Sequence, residues 1–245
     1  MVTRWRAILV TTLLLAACGG AGVSNGSRDA NQAGRGSSPA AVSTQAAAPA
    51  IMTQPALVEN CAPCTFRIGT NLPDFAVTFK VRELPDAGRL VESLQVSRAD
   101  RPGAPQTLDV HKMTPVPKGD DFFIGADDIN FDGYRDLFFA TSRGVANTYA
   151  DYWLFDPAKG EFTYMGNTPV FKVDAEKHEL STYERGGDGG MIYTARRYAF
   201  ENGTLVVTAS EEQEKAAGGA YQKRVFERRG GKLELVKREM VRPPK

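Results

Sequence analysis

The sequence predicts an all-β fold, an antiparallel sandwich of two packed sheets, and three observations carry that prediction. Apolar residues alternate with polar ones at strand period, short Gly-, Asn- and Pro-bearing turns join the alternating runs, and no long, well-capped amphipathic stretch interrupts them. Phe75, Val77, Phe79 and Val81 line one face of the first run, a period of two rather than 3.6. Residues 89–98 and 106–113 continue in the same style. Asp156-Pro157-Ala158-Lys159-Gly160 then separates two aromatic strands. Asn202-Gly203 is the strongest short hairpin signal, and Gly230-Gly231 marks another. Residues 210–221, SEEQEKAAGGAY, are the one helix-friendly stretch; glycines break it, and it reads equally as a loop. Many strands on short hairpins suggest two sheets or a barrel. No repeat recurs at a fixed period, which disfavours a propeller. Residues 60–245 suit one domain in size.

The residues before that domain have a different texture. Arg4 and Arg6 make a basic start, and residues 7–17 carry no charge. That run is too short for the roughly 20 apolar residues of a spanning helix, and it has the layout of a secretory signal peptide. Leu15-Ala16-Ala17-Cys18 resembles the lipobox of bacterial lipoproteins. The resemblance implies cleavage after residue 17 and an acylated Cys18 at the mature N-terminus. Gly19, where an Asp would imply retention, points by the same resemblance to the outer membrane. Residues 18–59 are then the lipidated Cys and a tether. From residue 19 the tether is rich in Ala, Gly, Ser, Asn, Gln and Pro and has no aromatic residue, so it cannot bury enough surface to offset its ordering entropy. About forty such residues reach roughly 35 Å in root-mean-square terms.

The chain has 30 basic and 29 acidic residues. Removing residues 1–17 deletes two arginines and leaves 28 against 29. With no basic stripe, nucleic acid is an unfavoured partner, and membrane attachment falls to the acyl chains rather than to a polybasic patch. Of three cysteines, Cys61 and Cys64 remain as Cys61-Ala62-Pro63-Cys64. A local disulfide suits an oxidising compartment. A redox site would want a βαβ context, and a structural zinc would want two more ligands. His111 and His178 stand isolated among polar residues and read as surface residues without a role.

One stretch carries concentrated chemistry. In residues 128–137, DINFDGYRDL, positions one, three, five and nine are Asp128, Asn130, Asp132 and Asp136. Position seven, Tyr134, offers a backbone carbonyl, and Gly133 allows a left-handed bend. Calcium wants six to eight oxygen ligands, and alternate residues of a tight loop supply them. Position twelve is Phe139, where an EF-hand has Glu, and the loop leads into a strand. The other reading is an Asx-rich turn without an ion. Acid–base catalysis fits poorly: a glycosidase pair needs two environments that separate two pKa values. No G-x-S-x-G, H-E-x-x-H or Cys–His pairing appears, so the expectation is a protein that is not an enzyme.

Residues 128–139, 149–165 and 186–207 occur in an order that resembles a family of periplasmic lipoproteins. These serve as immunity proteins for bacteria-killing type IV secretion systems, and they are similar in fold to periplasmic inhibitors of invertebrate-type lysozyme. The resemblance covers roughly residues 120–210. It implies a lysozyme-inhibitor-like β-sandwich with structural calcium held by Asp128, Asn130, Asp132, Tyr134 and Asp136. It further implies a Gly-rich loop ending in an aromatic residue that enters a muramidase cleft. The matching stretch is residues 186–193, with Gly187, Gly189, Gly190 and Tyr193 as contacts and Arg185, Arg196 and Arg197 beside it. Met191 stands where family members usually carry a small residue. Tyr149, Tyr152, Trp153 and Phe155 read as core and sheet-face packing.

The leading expectation is therefore a lipid-anchored inhibitor in the periplasm, on the outer membrane, whose partner is a lysozyme-like peptidoglycan hydrolase effector. The alternative is a calcium-stabilised lipoprotein that binds peptidoglycan or envelope components without inhibiting anything. An unrecognised hydrolase is third.

Overall fold

A computed structural model describes residues 56–59 by their backbone and residues 63–86 and 88–242 in full. The signal peptide, Cys18, the tether up to residue 55 and Cys61 lie outside the described residues. Cys64 is disulfide-bonded.

Three antiparallel sheets account for nearly all of the described chain. The first contains β2 (Cys64–Phe66), β3 (Phe75–Glu83), β4 (Gly88–Arg98) and β5 (Arg101–Asp109), in that order, with β6 (Val116–Pro117) paired to β4. The second contains β1 (Ala56–Glu59), β7 (Phe123–Asp127), β8 (Asp136–Arg143), β9 (Thr148–Asp156) and β10 (Glu161–Pro169). The third runs in chain order through β11 (Lys172–Asp174), β12 (Glu179–Arg185), β13 (Tyr193–Glu201), β14 (Thr204–Lys215), β15 (Tyr221–Arg229) and β16 (Lys232–Val241). The only helical turns among the described residues are two 3-10 turns, Asp188–Gly190 and Ala217–Gly219.

The expected two-sheet sandwich lies between the first and second sheets. Phe75, Val77, Leu94 and Val96 meet Ile124, Leu137, Phe139, Trp153 and Phe155 there in one buried cluster. Phe75 stands edge-on to Phe155 and to Phe162, with ring centres 5.5 and 5.7 Å apart. The sequence did not announce a third sheet, which covers the opposite face of the second. Phe138, Ala150 and Tyr152 pack with Leu180, Tyr198 and Phe171 in a second cluster. Because the middle sheet is buried on both faces, its strands lose the apolar–polar alternation of a half-exposed sheet. Tyr152, Trp153, Leu154 and Phe155 thus point to alternate clusters.

Turn chemistry sets the registers. Asn202 and Gly203 both have positive φ, 52° and 75°, which is the geometry that lets a two-residue turn follow the strand twist. They join Glu201 to Thr204 in direct register. Gly230 and Gly231 do the same between Arg229 and Lys232. The helix-friendly stretch is neither helix nor loop through residue 215. It continues β14, because Ser210 and Gln213 are buried and Glu211 and Glu212 pair with Lys223 and Arg224 across to β15. Cross-strand pairs of this kind override a helical propensity of a few tenths of a kcal/mol per residue.

Candidate functional site

The aspartate loop joins β7 to β8 and is closed at its base by the Asp127–Asp136 pair. Gly133 has φ +86° and Phe131 +61°, so the chain folds back on itself. Asp128 accepts the amides of Asp132 at 3.1 Å and Gly133 at 2.9 Å. Asp132 accepts the amide of Tyr134 and the side-chain amide of Asn130, both at 2.9 Å. Burial raises the Asp128 carboxyl above its ordinary range, the Gly133 amide opposes this, and the charge of Asp132 adds to it. Asp127 is likewise raised by burial, against the amide of Asp128.

Asp136 differs in kind. It is fully buried, and its two oxygens accept the amides of Phe155 at 2.8 Å and Ile129 at 2.9 Å. Burial pushes its carboxyl well above the ordinary range, and the two amides only partly oppose this. Neighbouring elements brace the loop. The Arg135 amide donates to the Ile68 carbonyl at 2.7 Å, and His178 from the β11–β12 turn stacks on Phe131 at 5.0 Å. Three carboxylates, an amide oxygen and a carbonyl are the donor types that a hard cation takes. Among the described residues no group of three or more His, Cys, Asp or Glu is placed to hold a metal ion, and Asp128, Asp132 and Asp136 turn their oxygens to backbone amides instead.

The Gly-rich stretch is the β12–β13 hairpin tip, and it is ordered by bonds rather than left as a loose connection. Gly186 donates to the Ile192 carbonyl at 2.6 Å, and Ile192 donates back to Gly187 at 3.3 Å. Gly190 and Met191 close the 3-10 turn onto Gly187 and Asp188, both at 3.1 Å. At its base Asn147 bonds both the carbonyl and the amide of Arg185, at 2.9 and 2.7 Å. Asp188 holds a positive φ of 54°, and its carboxylate meets Lys215 at 3.0 Å and the Tyr221 hydroxyl at 3.2 Å. The Lys215 ammonium keeps the Asp188 carboxyl below its ordinary range.

Gly187, Gly189 and Gly190 lie at this tip, and the Arg185 guanidinium lies against Gly190, where an added Cβ would meet it at 2.9 Å. Tyr193 belongs to the strand instead. Its ring stacks on Tyr183 at 5.2 Å, and its hydroxyl donates to Glu211 at 2.5 Å. Burial and that carboxylate both push the Tyr193 phenol upward. Burial alone would raise Glu211, but Lys223 and Tyr193 outweigh it and hold its carboxyl low. Arg197 lies further along β13 and reaches Glu179 at 3.5 Å. Arg196, one residue away, meets Glu184 at 2.8 Å, where Tyr149 also donates. Arg185 therefore lies against the tip, whereas Arg196 and Arg197 pair with acids along the strands.

The sequence reading missed two features. Tyr183 is half exposed and stands beside a groove of about 550 Å³ with Lys172, Arg197 and Val225. Asp151 is fully buried in β9 and gathers the His111 amide at 2.5 Å, the Asn167 amide at 2.8 Å and the Tyr164 hydroxyl at 3.2 Å. Its signal was in view: a lone carboxylate inside the aromatic run that reads as core. His111 is at the surface as expected, yet its ring lies against Tyr164, tilted by 32° with centres 4.3 Å apart, and its Nδ1 lies 3.4 Å from Asp151.

No protein-family model matches the chain, and no curated protein matches it. Among solved structures, one described as a Xanthomonas type IV secretion system related protein is similar in fold. It has 14% sequence identity and a TM-score of 0.50, over 75% of this chain and 99% of that one.

Proposed function

We propose that this protein is associated with type IV secretion as an inhibitor, an immunity protein that blocks a lysozyme-like peptidoglycan hydrolase and is not itself an enzyme. The observation that carries this reading is the braced Gly-rich tip, set in a fold that spans nearly the whole of a secretion-system-related protein. A glycan-cleaving cleft is built around paired carboxylates. At Gly187 and Gly189 no side chain holds the backbone away from such groups, and Arg185 adds a cation beside Gly190. The bonds to Asn147, Lys215 and Tyr221 fix the tip before contact, which lowers the ordering cost of binding. An acyl chain on Cys18 would place the domain at the outer membrane, facing the periplasm; Cys18→Ser is expected to move the protein from the membrane to the soluble fraction.

The test is titration of the full chain against chicken-, goose- and invertebrate-type lysozymes and any hydrolase encoded beside it. Inhibition of at least one enzyme is expected. Gly187→Glu, at an exposed tip position where an added Cβ meets nothing closer than 3.9 Å, is expected to weaken it by about tenfold or more through like-charge repulsion. No inhibition by the unaltered chain would sink the reading. The groove beside Tyr183, with Lys172 and Arg197, favours a second reading, direct binding of envelope glycan. Co-sedimentation with purified sacculi without inhibition of any enzyme would select it.

Calcium belongs to the same proposal. Asp128, Asn130, Asp132, the Tyr134 carbonyl and Asp136 are its candidate ligands; binding would draw together oxygens that here accept backbone amides, and the ion would neutralise carboxylates that burial disfavours as charges. Calcium at a hundred times its dissociation constant is expected to add about 2.7 kcal/mol of stability. Asp132→Ala is expected to abolish that gain. Equal melting temperatures in calcium and in chelator would leave only the Asx-turn reading.

A further inference from the structure

The Gly-rich tip has a neighbour. The β14–β15 hairpin ends in Ala216-Ala217-Gly218-Gly219-Ala220, closed by the Ala216 amide on the Ala220 carbonyl at 2.9 Å. Registers place it at the same end of the third sheet: Arg185 is opposite Tyr193, Tyr193 opposite Gln213, and Lys215 opposite Tyr221. Two strand spacings separate the hairpin axes, about 10 Å. Side chains tie the tips together. Asp188 of the first meets Lys215 and Tyr221 at the base of the second, and Gln213 donates to the Met191 carbonyl at 2.7 Å.

The acids at this end are paired, and two arginines are not. Lys215 meets Asp188 and Arg224 meets Glu214 and Glu212, whereas no ion pair is seen for Arg185 or for Arg242, the residue after β16, among the described residues. Residues 186–189 and 217–219 are exposed and carry little side-chain bulk. Side by side they make two thin backbone ridges with a cationic rim.

We propose that both tips form one docking edge and that its partner is the acidic cleft of a glycan-cleaving enzyme. This rests on the inhibitor reading above and extends it. Such a cleft is elongated, because its substrate is a chain of sugars. The first tip meets the carboxylates at the scissile position, and the second lies along the groove that holds the neighbouring sugars. Complementary charge across such a contact favours the correct partner, and a like charge disfavours it.

Ala217 tests this. It is exposed, so Ala217→Glu and Ala217→Lys in the full chain are expected to keep the melting temperature and circular dichroism unchanged. Against the lysozyme panel above, Ala217→Glu is expected to weaken inhibition at least about tenfold, through like-charge repulsion. Ala217→Lys is expected to retain it. If Ala217→Glu inhibits as well as the unaltered chain while Gly187→Glu does not, the second tip is excluded and the inhibitor reading stands. If the unaltered chain inhibits nothing, both fall together.

Discussion

Replacing Asp136 with Ala is expected to lower the unfolding free energy by about 3–5 kcal/mol, because two buried amides lose their acceptor together. The Ile129 amide comes from the aspartate loop and the Phe155 amide from β9, so one carboxylate joins the loop to the middle sheet. Ile129 and Phe155 are themselves buried, at 1% and 2% exposure, and water cannot replace the lost partner without opening the core. Asp136→Asn is expected to fall between the two. Its amide oxygen can keep one bond, but its NH2 then faces the other N–H. Urea unfolding with calcium chelated measures this role apart from any ion. The corresponding fall in melting temperature is on the order of 10 °C. A loss below about 1 kcal/mol would mean that the two amides find other partners.

Asp151→Ala is the second large effect, at about 2–4 kcal/mol. Asp151 holds the segment after β5 against the middle sheet through the His111 amide, and it fixes Asn167 and Tyr164 of β10. The cost is smaller than at Asp136 because His111 and Tyr164 reach solvent, at 46% and 40% exposure. Asn167 also keeps its bond to Thr141 at 2.8 Å. Hydrogen exchange is expected to quicken first at His111 and its neighbours, while the amides of β13 and β14 keep their protection. Uniform loss of protection across the domain would contradict a local clamp.

What the sequence made legible was local. The Asn202-Gly203 and Gly230-Gly231 hairpins could be read because their residues alone supply the positive φ the turns require. The inward faces of β3 and β9 could be read because burial follows the side-chain period. What stayed hidden depended on partners far along the chain. Residues 210–215 are helix formers in isolation and strand in context, since Lys223 and Arg224 lie opposite them. Asp136 read as one ligand of five, although its acceptor role depends on Phe155, nineteen residues away. Tyr193 read as the end of a loop; Tyr183 and Glu211 draw it onto the sheet. Nothing short-range announced that Asp188 would reach Lys215 and Tyr221.

The strand order also sets a timetable. Each strand of the third sheet pairs with its predecessor in the chain, so it can zip up as the chain appears, and local closures of this kind are fast. The middle sheet does so only from β7 onward. Its β1 pairs Glu59 with Phe123, across all of β2 to β6. A chain emerging N-terminus first therefore releases β1 well before its partner exists. Until β1 returns, β7 presents an open row of amides and carbonyls that any extended segment can occupy. The vulnerable interval in the life of this protein falls before its last-closing pair is made, and a chain cut short of residue 56 would never leave it.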